Sequence, residues 1–223
     1  MHQQKGKKIL IYFFLLISVG SVNNINLNNL KFNEITNINV VGLEEKDNFI
    51  LLNKIKNLNL DNIFFLKKEE IKNKIDSNSL VEKYIIFKRY PNSLDIKVKK
   101  TELLARLNRE GKIFFIGSNG KLLESNFSNV QIPFVFGNPE VNEFLNFKKI
   151  IDESKFSYDE IKNLYFFSSK RWDIELKSNI LIKLPRSYSS NSLKIIYEFL
   201  YNNNFKDVKI LDARVENQII LND

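Results

Sequence analysis

The chain has 223 residues, 43% hydrophobic and 27% charged, enough for one large or two small folded domains. It holds no cysteine and its one histidine is His2, which excludes disulfide scaffolds, thiol nucleophiles, Cys/His zinc centres and Ser/His hydrolase arrangements from the folded body. The net charge of +8 is weak ground for nucleic-acid binding: 28 of the 34 basic residues are lysine, accompanied by 31 asparagines and 28 isoleucines, as an A+T-rich coding sequence produces.

Lys5, Lys7 and Lys8 precede an uncharged apolar run from Ile9 to Val22. A basic flank before an apolar run is an export signal, with the lysines as a topology signal kept in the cytoplasm. The run makes ~21 Å of helix against a hydrocarbon core of ~30 Å. Two readings stand: a cleavable signal with Ser18 and Gly20 before the cut, or an uncleaved anchor over residues 9–29, extended by Ile25, Leu27 and Leu30 through an asparagine-rich stretch, behind a cytoplasmic tail of residues 1–8. A buried helix of a soluble protein fits the lysine flank less well. Beyond residue 22 remain 31 basic and 26 acidic residues, a net of +5, and export removes nucleic acid as a partner.

From Glu34 to about Lys100 the pattern is strand, helix, helix, strand, strand. Ile35, Ile38, Val40 and Val41 lead to a strand end at Gly42. Asp47 is the expected cap of a helix with Phe49, Leu52 and Ile55 on one face, and Lys67 to Ile75 is a second helix with Ile71 and Ile75 one turn apart. The alternating stretch Val81 to Lys88, the turn Tyr90-Pro91-Asn92-Ser93 and the alternating Leu94, Ile96 and Val98 predict an antiparallel hairpin with a polar outer face.

After Lys100 the pattern changes to short strands. Leu103 to Leu107 and Lys112 to Ile116 bracket a turn, and Gly117-Ser118-Asn119-Gly120 turns the chain again. A helix behind Asn142 carries Phe144, Phe147 and Ile151, and Ser157 with Glu160 suggests a capping box for a shorter one. Trp172, Ile174 and Leu176 face inward in a hairpin with Ile180, Ile182 and Leu184. Leu193, Ile196, Tyr197, Leu200 and Tyr201 mark a helix, and a last strand region runs from Val208 to Leu221. The fold class is α+β.

In order and spacing these residues resemble the FtsQ/DivIB family of bacterial cell-division proteins. The resemblance rests on Ile38-Asn39-Val40-Val41-Gly42; on Arg89, Pro91, Leu94, Ile96 and Val98 in an R-x-P-x-x-L-x-I-x-V register; on Glu102 and Ala105; on Ile132-Pro133 with Gly137; on Trp172 to Leu176; and on Leu211-Asp212-Ala213-Arg214. Leu103 stands where the family has a proline, Gly117 where it has an aspartate, and the segment before the apolar run is short. The resemblance implies an N-terminal transmembrane helix, a POTRA domain over 34–100 with two helices on a three-stranded sheet, and a mainly antiparallel β domain with flanking helices over 101–223.

It further implies a non-catalytic divisome scaffold of the inner membrane, single-pass with its bulk in the periplasm and enriched at the septum. Such a protein binds FtsB and FtsL, takes no cofactor, metal or small-molecule substrate, and adds a partner strand at its C-terminal sheet edge. On this chain that edge comprises Arg214, Val215, Glu216, Asn217, Gln218, Ile219, Ile220 and Leu221, straight or turned at Glu216-Asn217, with Lys170 and Arg171 adding basic surface that selects an acidic segment. The alternatives are another POTRA-bearing envelope protein that assists polypeptide transport, and a glycosidase-like enzyme using carboxylates such as Asp152, Glu153, Asp159 and Glu160. The first calls for repeated POTRA units or a membrane barrel; for the second, no motif positions a second acid.

Overall fold

The structure, a computed structural model, describes residues 2–22, 34–58, 60, 62–124, 130–202, 208–215 and 218–222. Helix α1, His2–Val22, exposes Ile9 through Ile17 and Val19 to solvent on every side. Its 21 residues make ~31 Å, but glutamines and lysines fill the first two turns, and no helix among the described residues is long and apolar enough to cross a membrane.

The first packed unit carries β1 (Asn37–Val41), α2 (Glu45–Lys56), α3 (Lys68–Asp76), β2 (Val81–Arg89) and β3 (Ser93–Lys100), in sheet order β1-β3-β2. Strand β1 runs parallel to β3 and β2 antiparallel to it. Val40, Leu94, Ile96 and Val98 on the sheet meet Leu51 and Ile55 of α2 and Ile71 and Ile75 of α3. Gly42 has a φ of 118°, and a Cβ there would collide with the Val98 carbonyl, so the strand ends on the residue that both constraints demand.

Three expectations for this unit are corrected. Glu44, not Asp47, is the N-cap residue of α2; Asp47 lies inside the first turn, and Asn48 bonds both the N–H and the C=O of Leu43. Phe49 is exposed and Leu51 takes the core position, because α2 turns the 51/55 stripe toward the sheet. The outer sheet face is also not wholly polar: a register shift between Val81 and Lys83 sends Tyr84 and Ile86 to the core and leaves Ile85 and Phe87 exposed.

The second unit is one mixed sheet. Its strands are β4 (Leu103–Arg109), β5 (Lys112–Gly117), β6 (Leu122–Glu124), β7 (Phe134–Phe136), β8 (Ile161–Phe166), β9 (Trp172–Leu176), β10 (Leu181–Lys183), β11 (Ile210–Asp212) and β12 (Ile220–Asn222). They lie in the order β12-β11-β10-β9-β8-β7-β4-β5-β6. Three junctions are parallel and five antiparallel, so the expectation of a mainly antiparallel domain holds.

Helices α4 (Val141–Asp152) and α5 (Ser190–Asn202) each connect two parallel neighbours, β7 to β8 and β10 to β11. Crossovers of this kind are right-handed, which places both helices on one face. There Phe144, Phe147, Ile151, Leu193 and Ile196 cover Leu107, Leu164, Trp172, Ile174, Ile182 and Leu211. Helix α4 is capped by a Glu140/Glu143 box rather than from Asn142, and the region of Ser157 and Glu160 is a single 3-10 turn, Tyr158–Glu160.

A polar seam joins the units. The Asn119 amide donates to the carbonyls of Ser79 (2.9 Å) and Val81 (2.8 Å) and accepts from Lys121 N–H, while Asn119 N–H donates to Thr101 Oγ1. Lys121 Nζ reaches the carbonyls of Asp76 and Asn78. Asn119→Ala strands two carbonyls and is expected to cost about 2 kcal/mol. The Trp172 fluorescence transition, which reports the second unit, should then separate from the far-UV circular dichroism transition on heating; coincident transitions at the native midpoint would show that the seam is dispensable.

Candidate partner-binding edge

The C-terminal segment is a hairpin rather than one long strand. Strand β11 leaves the sheet after Asp212, Gln218 N–H donates to the Val215 carbonyl at 3.2 Å to close a turn, and β12 returns antiparallel with Leu221 opposite Leu211. Glu216 and Asn217 lie outside the described residues. Val215 is exposed at the turn, while Ile219 and Leu221 pack on the main core.

Main-chain alternation identifies what the edge presents. Leu181 N–H donates to the Lys209 carbonyl (2.8 Å) and Ala213 N–H to the Lys183 carbonyl (2.9 Å), while Lys209 N–H crosses to the Asn222 carbonyl (3.1 Å) at the strand's start; Leu211, between the two β10 contacts, therefore bonds toward β10. Ile210 and Asp212 therefore bond toward β12, to Asn222 and Ile220 opposite them. Leu221 is left with its N–H and C=O directed away from the sheet. Its side chain, perpendicular to both, still packs inward.

Beside this edge, the helix-free face carries a charged row running from Ile220 through Asp212 and Lys183 to Asp173. Arg214 grips Asp212 with Nε at 2.8 Å and Nη2 at 2.5 Å, and Arg171 grips Asp173 with Nε at 3.1 Å. The hydrogen bonds from Arg214 hold the Asp212 carboxyl below its ordinary range; burial raises that of Asp173, opposed by Arg171. Lys170 pairs with Glu143 at 3.0 Å, and Arg171 also covers the Phe167 ring at 4.2 Å.

The structure thus places Arg171 and Arg214 along one row, each matched to its own aspartate, while Lys170 is held by Glu143 of α4. The basic surface is nearly neutral, and its shape comes from bidentate pairs rather than excess charge. Asp173, Lys183 and Asp212 were not among the expected edge residues, although extending the hairpin register across Ser178-Asn179 sets Asp173 opposite Lys183. Lys7 and Lys8 lie exposed on α1, which also contains Lys5.

Next to this row, Glu175 accepts from Tyr165 (2.6 Å) and Asn163 (2.9 Å) and pairs with Lys162 (2.9 Å). Burial alone would raise its pKa; these hydrogen bonds and the Lys162 charge outweigh it and pull the group from 4.5 to about 2. A carboxyl depressed on folding stabilises the native state fully above its unfolded pKa, and that stability is lost as pH falls through the folded value. Glu175→Gln should therefore flatten the fall in urea stability between pH 4.5 and about 2; an unchanged slope would mean the cluster does not hold the ionised form.

Asp152 pairs with Lys148, Glu153 with Lys149, and Glu160 accepts from Tyr201. Among the described residues no group of His, Cys, Asp and Glu could hold a metal ion.

Residues 33–100 match the family described as POTRA domain, FtsQ-type. The chain is similar to the cell division protein FtsQ of Rickettsia felis, 26% identical over 190 residues that cover 80% of this chain and 69% of that one. It is also similar to the cell division protein DivIB of Clostridium acetobutylicum, 34% identical over 97 residues, 43% of this chain and 38% of that one. Among solved structures, the extracytoplasmic domain of Geobacillus stearothermophilus DivIB aligns with a TM-score of 0.35 at 12% identity, over 48% of this chain and 99% of that one.

Proposed function

We propose, for a chain that belongs to the FtsQ/DivIB family of bacterial cell-division proteins, that it serves the divisome as a membrane-anchored, non-catalytic scaffold. In this reading α1 seats the chain in the inner membrane, with Lys5, Lys7 and Lys8 on the cytoplasmic side and the two packed units, over 34–100 and 101–223, in the periplasm. FtsB and FtsL supply a strand that adds to β12.

The observation that carries this reading is the outward main chain of Leu221. An edge strand whose outward donor and acceptor meet no strand among the described residues is a template for β-augmentation, and the Arg214–Asp212 pair beside it offers a fixed guanidinium to an acidic side chain of the incoming segment. Because β12 is three residues long, the main chain supplies few bonds, and side-chain recognition carries much of the selectivity.

Leu221→Ala removes packing alone; Leu221→Pro also removes the outward N–H. Capture of FtsB and FtsL by the full chain should fall roughly tenfold further for proline than for alanine, ~1.4 kcal/mol. Equal losses would remove β-augmentation from the reading. Arg214→Glu should weaken capture more at about 50 mM salt than at about 0.5 M, where charges are screened; an unchanged salt response would show that Arg214 takes no part.

A further inference from the structure

The end of the first unit where the chain arrives from α1 is built as a cationic, aromatic tip. Asn62 forms a bridge with Glu34, and Thr36 N–H donates to the Asn92 carbonyl, so the incoming segment touches both the loop before α3 and the β2–β3 turn. In that loop Ile63 and Leu66 are buried while Phe64 and Phe65, between them, are 52% and 67% exposed. The Asn62 side chain accepts from the N–H groups of both phenylalanines, and Lys88 Nζ donates to the Ile63 carbonyl at 2.6 Å. The loop is pinned in a shape that holds two large apolar side chains outward. Tyr90 from the β2–β3 turn, 62% exposed, lies against Phe64 with ring centroids 5.0 Å apart.

Cations gather at the same end. Helix α2 finishes on Lys54 and Lys56, α3 starts behind Lys67, and β2 finishes on Lys88, which bonds the Ile63 carbonyl, and on Arg89, which is paired with Asp95; the other carboxylates are Glu34, Glu69 and Glu70. Exposed aromatics ringed by lysine and arginine are the composition of protein surfaces at the membrane interface.

Two further facts select lipid as the occupant. Eleven residues separate Val22 from Glu34, and extended chain reaches no more than ~40 Å over that span, which bounds the distance from the tip to the end of α1. The apolar run of α1 is short of a full bilayer core, and one marginal apolar contact holds a protein weakly unless a second joins it.

We propose that this tip is a second membrane contact, in which Phe64, Phe65 and Tyr90 enter the interfacial layer of the bilayer that holds α1 and the surrounding lysines meet anionic headgroups. The inference rests on the reading of α1 as a membrane anchor.

The absence of cysteine makes a direct test simple. The full chain carrying a single Lys67→Cys, at the tip, or Lys46→Cys, at the opposite end of α2, is labelled with a fluorophore. It is reconstituted into phosphatidylcholine vesicles with about 30% phosphatidylglycerol and a headgroup-nitroxide lipid as quencher. Lipid quenching should be about threefold stronger at 67 than at 46, and Phe64→Ser/Phe65→Ser should abolish most of the difference. Protein that floats with the vesicles yet shows equal quenching at the two positions overturns the tip contact while the anchor stands, leaving the tip to a protein partner. A difference that survives the double serine substitution also overturns it, and protein that fails to float overturns anchor and tip together.

Discussion

The architecture depends on one constraint: both crossover helices of the large sheet cover the same face. Trp172, stacked on Phe147 with centroids 4.6 Å apart and tilted against Phe166, sits at the centre of that covered face. Because side chains alternate, this commits every second residue of each strand to the core and the rest to the open side. A slip of one residue in β9 would bury the Asp173 side of the strand under α4 and expose Trp172. The polar row beside Arg214 and the outward main chain of Leu221 both follow from the register that the tryptophan fixes.

Hydrogen bonds to backbone carbonyls join the two units. Asn119 and Lys121 reach carbonyls near the end of α3 and the start of β2, and Ser118 supplies hydroxyl contacts to Thr101 and Glu82. Bonds of this kind are directional, so the seam specifies an orientation. The proposed membrane contact and the proposed partner-binding edge lie on the two units that this link joins.

Much of this was legible in the sequence because periodicity reports burial. Ile71 with Ile75, Leu94 with Ile96 and Val98, and Trp172 with Ile174 and Leu176 all lie where their spacing put them. Gly42 was legible because no other residue fits that backbone and that neighbour. What escaped depends on contacts between distant segments. Nothing local says that Leu51 rather than Phe49 faces the sheet, or that the turn at Gly117–Gly120 reaches back to Ser79. The terminal edge was legible as strand sequence, but its fold into a hairpin rests on Leu221 pairing with Leu211. The neutralisation of Arg171 and Arg214 depends on i, i+2 pairing to Asp173 and Asp212, which strand geometry permits but alternation alone does not single out.

Docking of partner strands on the outer main chain of β12, as proposed, can be read from amide hydrogen exchange at Leu221, measured in the full chain alone and with FtsB and FtsL. Leu221 should exchange rapidly in the free chain and be strongly protected in the complex, because its N–H then donates to the added strand. A complex that forms while Leu221 exchanges as fast as in the free chain would contradict it.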